Sequence, residues 1–391
     1  MNFLVISFWI FLFLLFYSYL GYGILLRGLL ALKKRKENRG FAEEDLPEVT
    51  LLIAAYNEED FIQQKIENSL DLDYPKGKLH WVFVTDGSND NSPEVVGRYP
   101  QIRHYHQPER RGKLAAVHRV MPLIDTPIVV FSDANTLLNK QAIRNLVKPY
   151  ADPQIGAVAG EKRVHMAEQD NASAAGEGLY WKYESKLKQW DGEWYSVVGA
   201  AGELFSVRRD AFREVPPDSL IEDFYLTMSI AQDGYRVAYV PEAYAVETAS
   251  MTVKEEIKRK IRISAGAFQA MWRLRDLLNP IKYGKLSFQY ISHRVLRWTL
   301  APLGLGWLLI AAPILAWQLG GIYSLMAIGQ IAFYLLAGLG WWMESREIRL
   351  KALFVPYYFV MMNVCIWLGW RRYRRGEQKV TWAKAQRKSY A

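Results

Sequence analysis

The chain has 391 residues, a formal net charge of +9 and a single cysteine, Cys365. One cysteine excludes an intrachain disulfide and a cysteine-based metal cluster, and the concentration of apolar residues towards both ends excludes an ordinary water-soluble globular protein. Because basic residues flank the apolar ends at 33–36 and 371–375, the charge indicates an anionic membrane surface as the partner and not nucleic acid.

The first apolar segment, residues 3–26, carries no charge over 24 residues, enough at about 1.5 Å per residue to span a hydrocarbon core of about 30 Å. A cleaved signal peptide is the alternative, but no basic residue precedes the segment and no small-residue cleavage site follows it. The sequence therefore predicts a transmembrane helix within residues 1–27. The basic residues that follow predict an outer N-terminus and a cytoplasmic position for the next part of the chain.

Residues 47–252 alternate short apolar runs with amphipathic segments. This pattern predicts an α/β domain in which a mostly parallel sheet carries helices on both faces. We predict strands over residues 49–55, 79–85, 102–106, 127–132, 155–160 and 235–240. We predict helices over residues 59–71, 112–121, 139–150 and 221–233.

An amphipathic segment follows this domain. Residues 253–275 place most of their apolar side chains on one helical stripe and most of their basic side chains elsewhere. That pattern is typical of a helix that lies in a membrane surface, so we predict an interface region over residues 253–296.

The C-terminal apolar region, residues 297–370, contains a 43-residue uncharged stretch at 300–342, long enough for two crossings, and a further apolar run at 352–370. A third crossing would place the basic tail, residues 371–391, outside and against the charge rule. The last run is therefore either a third crossing or a re-entrant segment. The re-entrant segment would keep the tail in the cytoplasm, and this arrangement is favoured.

Polar residues follow the first two predicted strands, at the sheet edge where doubly wound folds bind ligands. Tyr56 and Glu58 follow the first strand, and the Tyr56 ring is suited to stacking on a base. Asp86 ends the second strand, where a carboxylate can accept from a uracil imide or a ribose hydroxyl. The alternatives are that Asn57 caps the following helix and that Asp86 belongs to an ordinary turn.

Two further motifs are suited to phosphate chemistry. Asp133 and Asn135 follow an apolar strand and offer hard oxygen ligands to a Mg²⁺ or Mn²⁺ ion that also holds phosphate oxygens. Lys113 brings a cation to the start of a predicted helix, which is a natural phosphate site. A turn cap and an ordinary basic surface are the respective alternatives.

An acidic pair and two arginines complete the series. Glu222 and Asp223 precede an apolar run, and a desolvated carboxylate can take a proton from a hydroxyl group. Arg259 and Arg262 follow later in the chain and are suited to holding a departing diphosphate.

The order of these motifs resembles membrane-embedded family 2 glycosyltransferases, such as bacterial hyaluronan, cellulose and chitin-oligosaccharide synthases. The resemblance covers almost the whole chain and implies a GT-A-like nucleotide-sugar-binding domain between N- and C-terminal transmembrane helices. It implies Asp223, with Glu222 beside it, as the catalytic base. It implies a donor site formed by Tyr56, Glu58, Asp86, Lys113, Asp133, Arg259 and Arg262.

The resemblance also implies an acceptor side and a metal motif. The family's small-residue acceptor loop is matched by Gly199, Ala200, Ala201 and Gly202. Trp190, before this loop, is suited to stacking on a sugar ring, and packing of the domain against the membrane interface is its alternative. Asp133 and Asn135 match the family's Asp-x-Asp metal motif, with Asn in the second position.

The function implied is that of an inverting, metal-dependent hexosyltransferase of the inner membrane, with its catalytic domain in the cytoplasm. It moves a sugar from a UDP-sugar to a growing polysaccharide; transfer of one sugar to a membrane lipid and an inactive sugar-nucleotide-binding scaffold are the alternatives. The family's Gln-x-x-Arg-Trp motif is represented here by Arg259, Arg262 and Ile263, which leaves processive synthesis open. The expected partners are the bilayer and a glycan or lipid acceptor, and a homo-oligomer stays open.

Overall fold

The computed structural model describes residues 2–33, 40–165, 172–248, 253–346 and 351–377. The predicted basic positions 34–36, the predicted end of the α/β domain at 249–252 and the predicted tail beyond residue 377 lie outside these ranges. The chain begins with the predicted apolar helix, which consists of α1 (Asn2–Phe16), a π-helical turn over Tyr17–Gly21 and α2 (Tyr22–Ala31).

Eight strands of the described chain form one mixed sheet, in the order β3-β2-β1-β4-β7-β6-β8-β5. They are β1 (Val49–Ala55), β2 (Leu79–Asp86), β3 (Ile102–Gln107), β4 (Ile128–Asp133), β5 (Thr136–Leu138), β6 (Ile155–His165), β7 (Leu204–Arg208) and β8 (Arg236–Thr248). β1 to β4 pair in parallel, as do β6 and β8. β7 is antiparallel to its neighbours β4 and β6, and β5 is antiparallel to β8. The predicted α/β class with a mostly parallel sheet is confirmed.

Helices cover both faces of this sheet, because apolar residues recur at helical spacing in the segments between strands. The helices are α3 (Glu59–Leu70), α4 (Ser92–Gly97), α5 (Lys113–Val120), α6 (Ala142–Val147), α7 (Ala172–Trp194) and α8 (Glu222–Gln232). Ile62 and Ile66 of α3 belong to the core on one face, together with α6. Leu114 of α5 and Phe224 of α8 belong to the core on the other face.

The strand register brings the predicted donor motifs to one edge of the sheet. Ala55 at the end of β1 pairs with Thr85 of β2, and Ala54 pairs with Asp133 at the end of β4. Because these three strands are parallel, the residues that follow β1, β2 and β4 lie side by side.

Helical segments follow the sheet. The interface region contains α9 (Val253–Arg273), α10 (Pro280–Tyr283), α11 (Lys285–Tyr290) and α12 (Leu296–Trp298), and the apolar region contains α13 (Leu300–Leu319), α14 (Ile322–Ser345) and α15 (Lys351–Arg374). Four helical segments of the described chain are long and apolar enough to cross a membrane, which makes this a membrane protein: Asn2–Ala31, Leu300–Leu319, Ile322–Glu344 and Ala352–Arg374.

The last helix, α15, contacts both its membrane neighbour and α9. Near its start, the Leu353 carbonyl oxygen would lie only 2.5 Å from a Cβ atom placed on Gly340 of α14. Near its end, a Cβ atom on Gly369 would lie 2.4 Å from Ser264 Cβ, and Tyr373 stacks on Phe268 at a ring distance of 6.5 Å. Those α9 residues flank Gly266, which packs on the α/β domain, so the end of α15 lies beside that domain.

Candidate active site

One lysine joins two of the predicted motifs. The Nζ atom of Lys113 lies 2.7 Å from Oδ1 of Asp133 and 3.0 Å from Oε1 of Glu222. Lys113 begins α5, Asp133 ends β4 and Glu222 begins α8, so residues distant in sequence meet at the carboxyl edge of the sheet. Burial opposes the charge of Lys113, but the carboxylates of Asp133 and Glu222 outweigh it and hold the pKa of Lys113 above its ordinary value.

The start of α5 is shaped by Asp86. Its Oδ2 atom accepts backbone hydrogen bonds from Arg111, at 2.9 Å, and from Gly112, at 2.6 Å. Gly112, the residue before the helix, has a φ of 97°, a left-handed conformation that favours glycine. Asp86 thus orients the loop that presents Lys113, a role that the sequence analysis did not assign to it.

The two neighbouring acids at the start of α8 lie in different electrostatic environments. Burial opposes ionisation of Glu222, but the Lys113 ammonium outweighs it and holds the pKa of Glu222 below its ordinary value. Burial, and then the Glu222 carboxylate, raise the pKa of Asp223 to about 7. Asp223 is therefore suited to accept a proton near neutral pH.

The small-residue loop at 199–202 packs against the start of α8. Gly199 has a φ of 86°, and a Cβ atom there would lie 2.1 Å from Cδ2 of Phe224. The backbone N–H of Ala200 donates to Oγ1 of Thr227 at 3.1 Å. A Cβ atom on Gly202 would lie 3.3 Å from Oδ2 of Asp223, so this end of the loop borders the predicted base. Ala201 lies between these two anchored positions.

The two arginines differ in their surroundings. Burial lowers the pKa of Arg262, whereas the charges of Glu222 and Asp223 oppose this effect, so Arg262 belongs electrostatically to the acidic pair. Arg259 forms an ion pair with Glu256 on its own helix, with Nε 3.0 Å from Oε2. Arg262 thus interacts electrostatically with the acidic pair, whereas Arg259 is paired with an acid of its own helix.

Trp190 does not join this cluster. It packs with Tyr22 and Leu26 of α2, and its ring lies 3.6 Å from a Cβ position on Gly23. This position fits the alternative interpretation, in which the tryptophan packs the α/β domain against a membrane segment.

The loop after β1 is held by side chains and not by an Asn57 cap. Asn57 has a φ of 53°, and its side-chain amide donates to Asn89 at 2.6 Å. The residue that precedes α3 is Glu58, whose own side chain does not cap this helix, so the capping interpretation of Asn57 is wrong. Instead, the N–H groups of Glu58 and Glu59 donate to the side chains of Ser92 and Asp90. The guanidinium carbon of Arg110 lies 3.7 Å from the centre of the Tyr56 ring, which shows that this ring accepts a stacked planar group.

The donor set for a divalent ion is small. No group of three or more His, Cys, Asp or Glu side chains suited to a metal occurs among the described residues. Asp133 is partly exposed, with one carboxylate oxygen engaged by Lys113, and Asn135 follows it on the adjoining turn. Mg²⁺ is commonly bound through one or two protein oxygens together with substrate phosphates, and these two residues fit that arrangement.

Two buried lysines near the site were not predicted from the sequence. Lys162 of β6 contacts the carboxylates of Glu203 and Glu247. Burial opposes ionisation of Glu203, but the charge of Lys162 outweighs burial and lowers the pKa of Glu203 to about 2. Lys65 of α3 is fully buried, and burial lowers its pKa to about 7 against the opposing charge of Asp133. For Lys65 the sequence did carry a sign of burial, because this residue falls on the helical face that also carries the apolar residues Ile62 and Ile66.

Part of the chain is similar in sequence to known proteins. Residues 50–216 match the family model of Glycosyl transferase family 2. Poly-beta-1,6-N-acetyl-D-glucosamine synthases of Staphylococcus aureus strain MSSA476 and Staphylococcus epidermidis are 26% and 24% identical over 255 residues. The match covers 61% of this chain and only 58% of each relative.

A solved structure resembles nearly the whole chain. It is the mannosyltransferase PcManGT from Pyrobaculum calidifontis in complex with GDP-Man and Mn2+, with a TM-score of 0.74 and 22% sequence identity. The similarity covers 96% of this chain and 100% of that chain. This likeness concerns the fold and confirms the predicted architecture of an α/β domain between apolar helices.

Proposed function

Since this chain is a family 2 glycosyltransferase with membrane helices, as the motif order predicted, we propose that it transfers a hexosyl group from a UDP-sugar to a glycan hydroxyl with inversion. The predicted domain limits, 47–252 for the catalytic domain and 253–296 for the interface region, are part of this proposal. We also propose that the catalytic domain lies in the cytoplasm, because sugar nucleotides are made in that compartment.

The observation that carries the proposal is the bridge formed by Lys113. It brings Asp133 of the donor motif and Glu222 of the acidic pair within hydrogen-bond distance of one ammonium group. Asp223 lies next to this bridge and borders the loop at Gly202. A leaving-group site and a base with a pKa near neutrality are thus adjacent, as a single displacement requires.

In the proposed step, the Asp223 carboxylate takes the proton of the acceptor hydroxyl. The hydroxyl oxygen forms the new bond to the anomeric carbon on the face opposite the diphosphate, and the bond from that carbon to the phosphate oxygen breaks. The electron pair of this bond leaves with UDP, and the proton on Asp223 passes to solvent. Lys113 and Arg262 stabilise the departing negative charge, which makes an acid catalyst unnecessary.

A divalent ion would be held by Asp133 and Asn135 together with the donor phosphates, and it would supply further charge neutralisation at the diphosphate. Tyr56 is proposed to stack on the base, with Arg110 moving away from the ring, and Glu58 and Asp86 line the same edge. Arg259 is proposed to assist Arg262.

The donor sugar is proposed to be N-acetylglucosamine, because the relatives that match residues of this chain are named as synthases of poly-beta-1,6-N-acetyl-D-glucosamine. The test is nucleotide release by the purified full-length protein with UDP-N-acetylglucosamine, UDP-glucose, UDP-galactose and GDP-mannose. Asp223→Asn is the matched control. UDP release from a UDP-sugar by the wild-type protein only is expected. Release of GDP alone contradicts the UDP assignment, and no release from any donor favours the inactive scaffold.

Transfer of one sugar to a lipid is the second candidate, and Ile263 favours it because the family's motif has tryptophan at this position. Product analysis separates the two. With radiolabelled donor in vesicles, a polysaccharide synthase gives water-soluble material of increasing length. A lipid transferase gives label that extracts into organic solvent at one sugar per acceptor.

A further inference from the structure

A buried lysine lies beneath the donor motif. Lys65 is fully buried on α3, where its neighbours Ile62 and Ile66 pack in the apolar core. Its Nζ atom donates to Oγ of Ser132 and to the carbonyl oxygen of Thr136, each at 2.7 Å, and lies 3.4 Å from Oγ1 of Thr136. Three neutral oxygens therefore satisfy its three N–H groups.

These contacts connect both sides of the candidate active site. The Ser132 hydroxyl also donates to the backbone oxygen of Glu203 at 3.1 Å, directly after the loop at 199–202. The Thr136 hydroxyl donates to the backbone oxygen of Asp133 at 3.0 Å. Lys65 thus holds the turn from Asp133 to Thr136, which carries the proposed metal ligands, and fastens that turn to the acceptor loop.

The arrangement is costly for folding. Within the described part of the chain, no carboxylate forms an ion pair with Lys65, so its charge is compensated only by neutral dipoles and by the more distant Asp133. A buried charge without a partner destabilises a protein, and an apolar residue of similar volume is often neutral or stabilising in its place. Lys162, in contrast, has two carboxylate partners. A role in stability therefore explains Lys162 but not Lys65.

We propose that Lys65 is a positioning residue for the donor site. It holds the Asp133–Thr136 turn through its hydrogen bonds and, in its protonated form, which an anion nearby favours, it places a positive charge behind that turn that strengthens binding of the anionic diphosphate. This inference rests on the proposed function. In this chain the second residue of the metal motif is the neutral Asn135, so fewer anionic groups offset the charge of Lys65.

Two variants remove the ammonium group of Lys65 and differ in what they leave in its place. Lys65→Met keeps the volume and removes both the charge and the hydrogen bonds, whereas Lys65→Gln keeps an N–H donor and removes the charge. Each is compared with the wild-type full-length protein in detergent by calorimetry with UDP and Mn²⁺, and by its melting temperature. Lys162→Met serves as the stability control, because it removes the cation that contacts two buried carboxylates.

We expect both Lys65 variants to bind UDP about tenfold more weakly, as loss of a buried charge near an anion predicts, while their melting temperatures equal or exceed that of the wild type. Lys162→Met should melt at a lower temperature. UDP affinity within twofold of wild type in a folded Lys65 variant overturns the proposal, and so does a loss of stability with affinity unchanged. If Lys65→Met does not fold, Lys65→Gln decides.

The measurement also separates this inference from the proposed function. UDP binding needs neither an acceptor nor turnover, so a wild-type protein that binds UDP but transfers no sugar still tests Lys65. If the wild type transfers sugar and the Lys65 variants bind UDP normally, only the inference about Lys65 fails. A wild type that binds no UDP overturns both.

Discussion

The ammonium group of Lys113 lies 3.0 Å from a carboxylate oxygen of Glu222, whereas the pKa of the next residue, Asp223, is raised to about 7. Two adjacent acids thus have different protonation behaviour, because one is paired with a cation and the other is buried beside a negative charge. Environments that separate the pKa values of neighbouring acids identify their separate roles. Glu222 holds Lys113 in place, and Asp223 is the residue that we propose as the base.

Replacing Asp223 by Asn should reduce the transfer rate by about 10²-fold or more, because a positioned base is lost, while UDP affinity stays close to that of the wild type. The proposed UDP contacts do not require the carboxylate at position 223. The measurements are UDP release and UDP calorimetry. Wild-type turnover in this variant would place the base elsewhere.

Arg262→Ala should weaken UDP affinity as well as turnover, because a cation near the diphosphate acts on the ground state and the transition state alike. Loss of one charge-assisted contact corresponds to about tenfold in affinity. Calorimetry with UDP measures the first effect and the release assay the second. Unchanged UDP affinity would show that Arg262 does not reach the diphosphate.

The rate should rise with pH through about 7, because the raised pKa of Asp223 leaves its carboxyl group protonated, and inactive as a base, below that pH. Glu222→Gln removes the adjacent negative charge and should shift this acidic limb to lower pH by roughly one unit. Initial rates between pH 5.5 and 8.5 for both proteins provide the comparison. An unshifted limb in Glu222→Gln would mean that a different group controls it.

Turnover should require Mg²⁺ or Mn²⁺, since Asp133 and Asn135 fit an ion that also binds substrate phosphates. Asp133→Ala should abolish activity or raise the metal concentration needed, whereas Asn135→Asp should be tolerated. Assays with chelator and with graded metal test both statements. Full activity in excess chelator would remove the metal from the mechanism.

Gly199→Ala should destabilise the site by about 1–3 kcal/mol more than Gly234→Ala, because only the former adds a steric clash to the left-handed strain. A Cβ atom at Gly199 would meet Phe224 at 2.1 Å. At Gly234, which has a φ of 98°, a Cβ atom would have no heavy atom of the described residues within 4 Å apart from its chain neighbours. The melting temperatures of the two variants give the difference. Equal temperatures would show that the loop adjusts without strain.

The two ends of α15 should lie on the catalytic-domain side of the membrane. The end of α15 packs on α9, beside the α/β domain. Its start follows α13 and α14, and two crossings by these helices would return the chain to the side of that domain. In a Cys365→Ser background, Gln318→Cys should react with an impermeant thiol reagent in intact cells. Lys76→Cys and Glu377→Cys should react only after permeabilisation. Labelling of Glu377→Cys from outside would show that α15 crosses.

Sequence patterns predicted the membrane helices and most of the sheet, because apolar length and strand-helix alternation are local properties. The strand at Val49–Ala55 was located from such a pattern. The short strands β5 and β7 were missed, because their pairing with β8 and β4 depends on partners far away in the chain.

The sequence by itself determined which residue types were available for chemistry and their order along the chain. Only the tertiary structure decided which of them meet. Asp133 ends a parallel strand, whereas Lys113 and Glu222 begin helices, and these three residues converge at one edge of the sheet. Trp190 packs against α2 although it precedes the loop at 199–202 in sequence. The position of Lys65 beneath the donor motif was likewise decided by packing of α3 on the sheet, since a buried charge is compensated by contacts that no local pattern encodes.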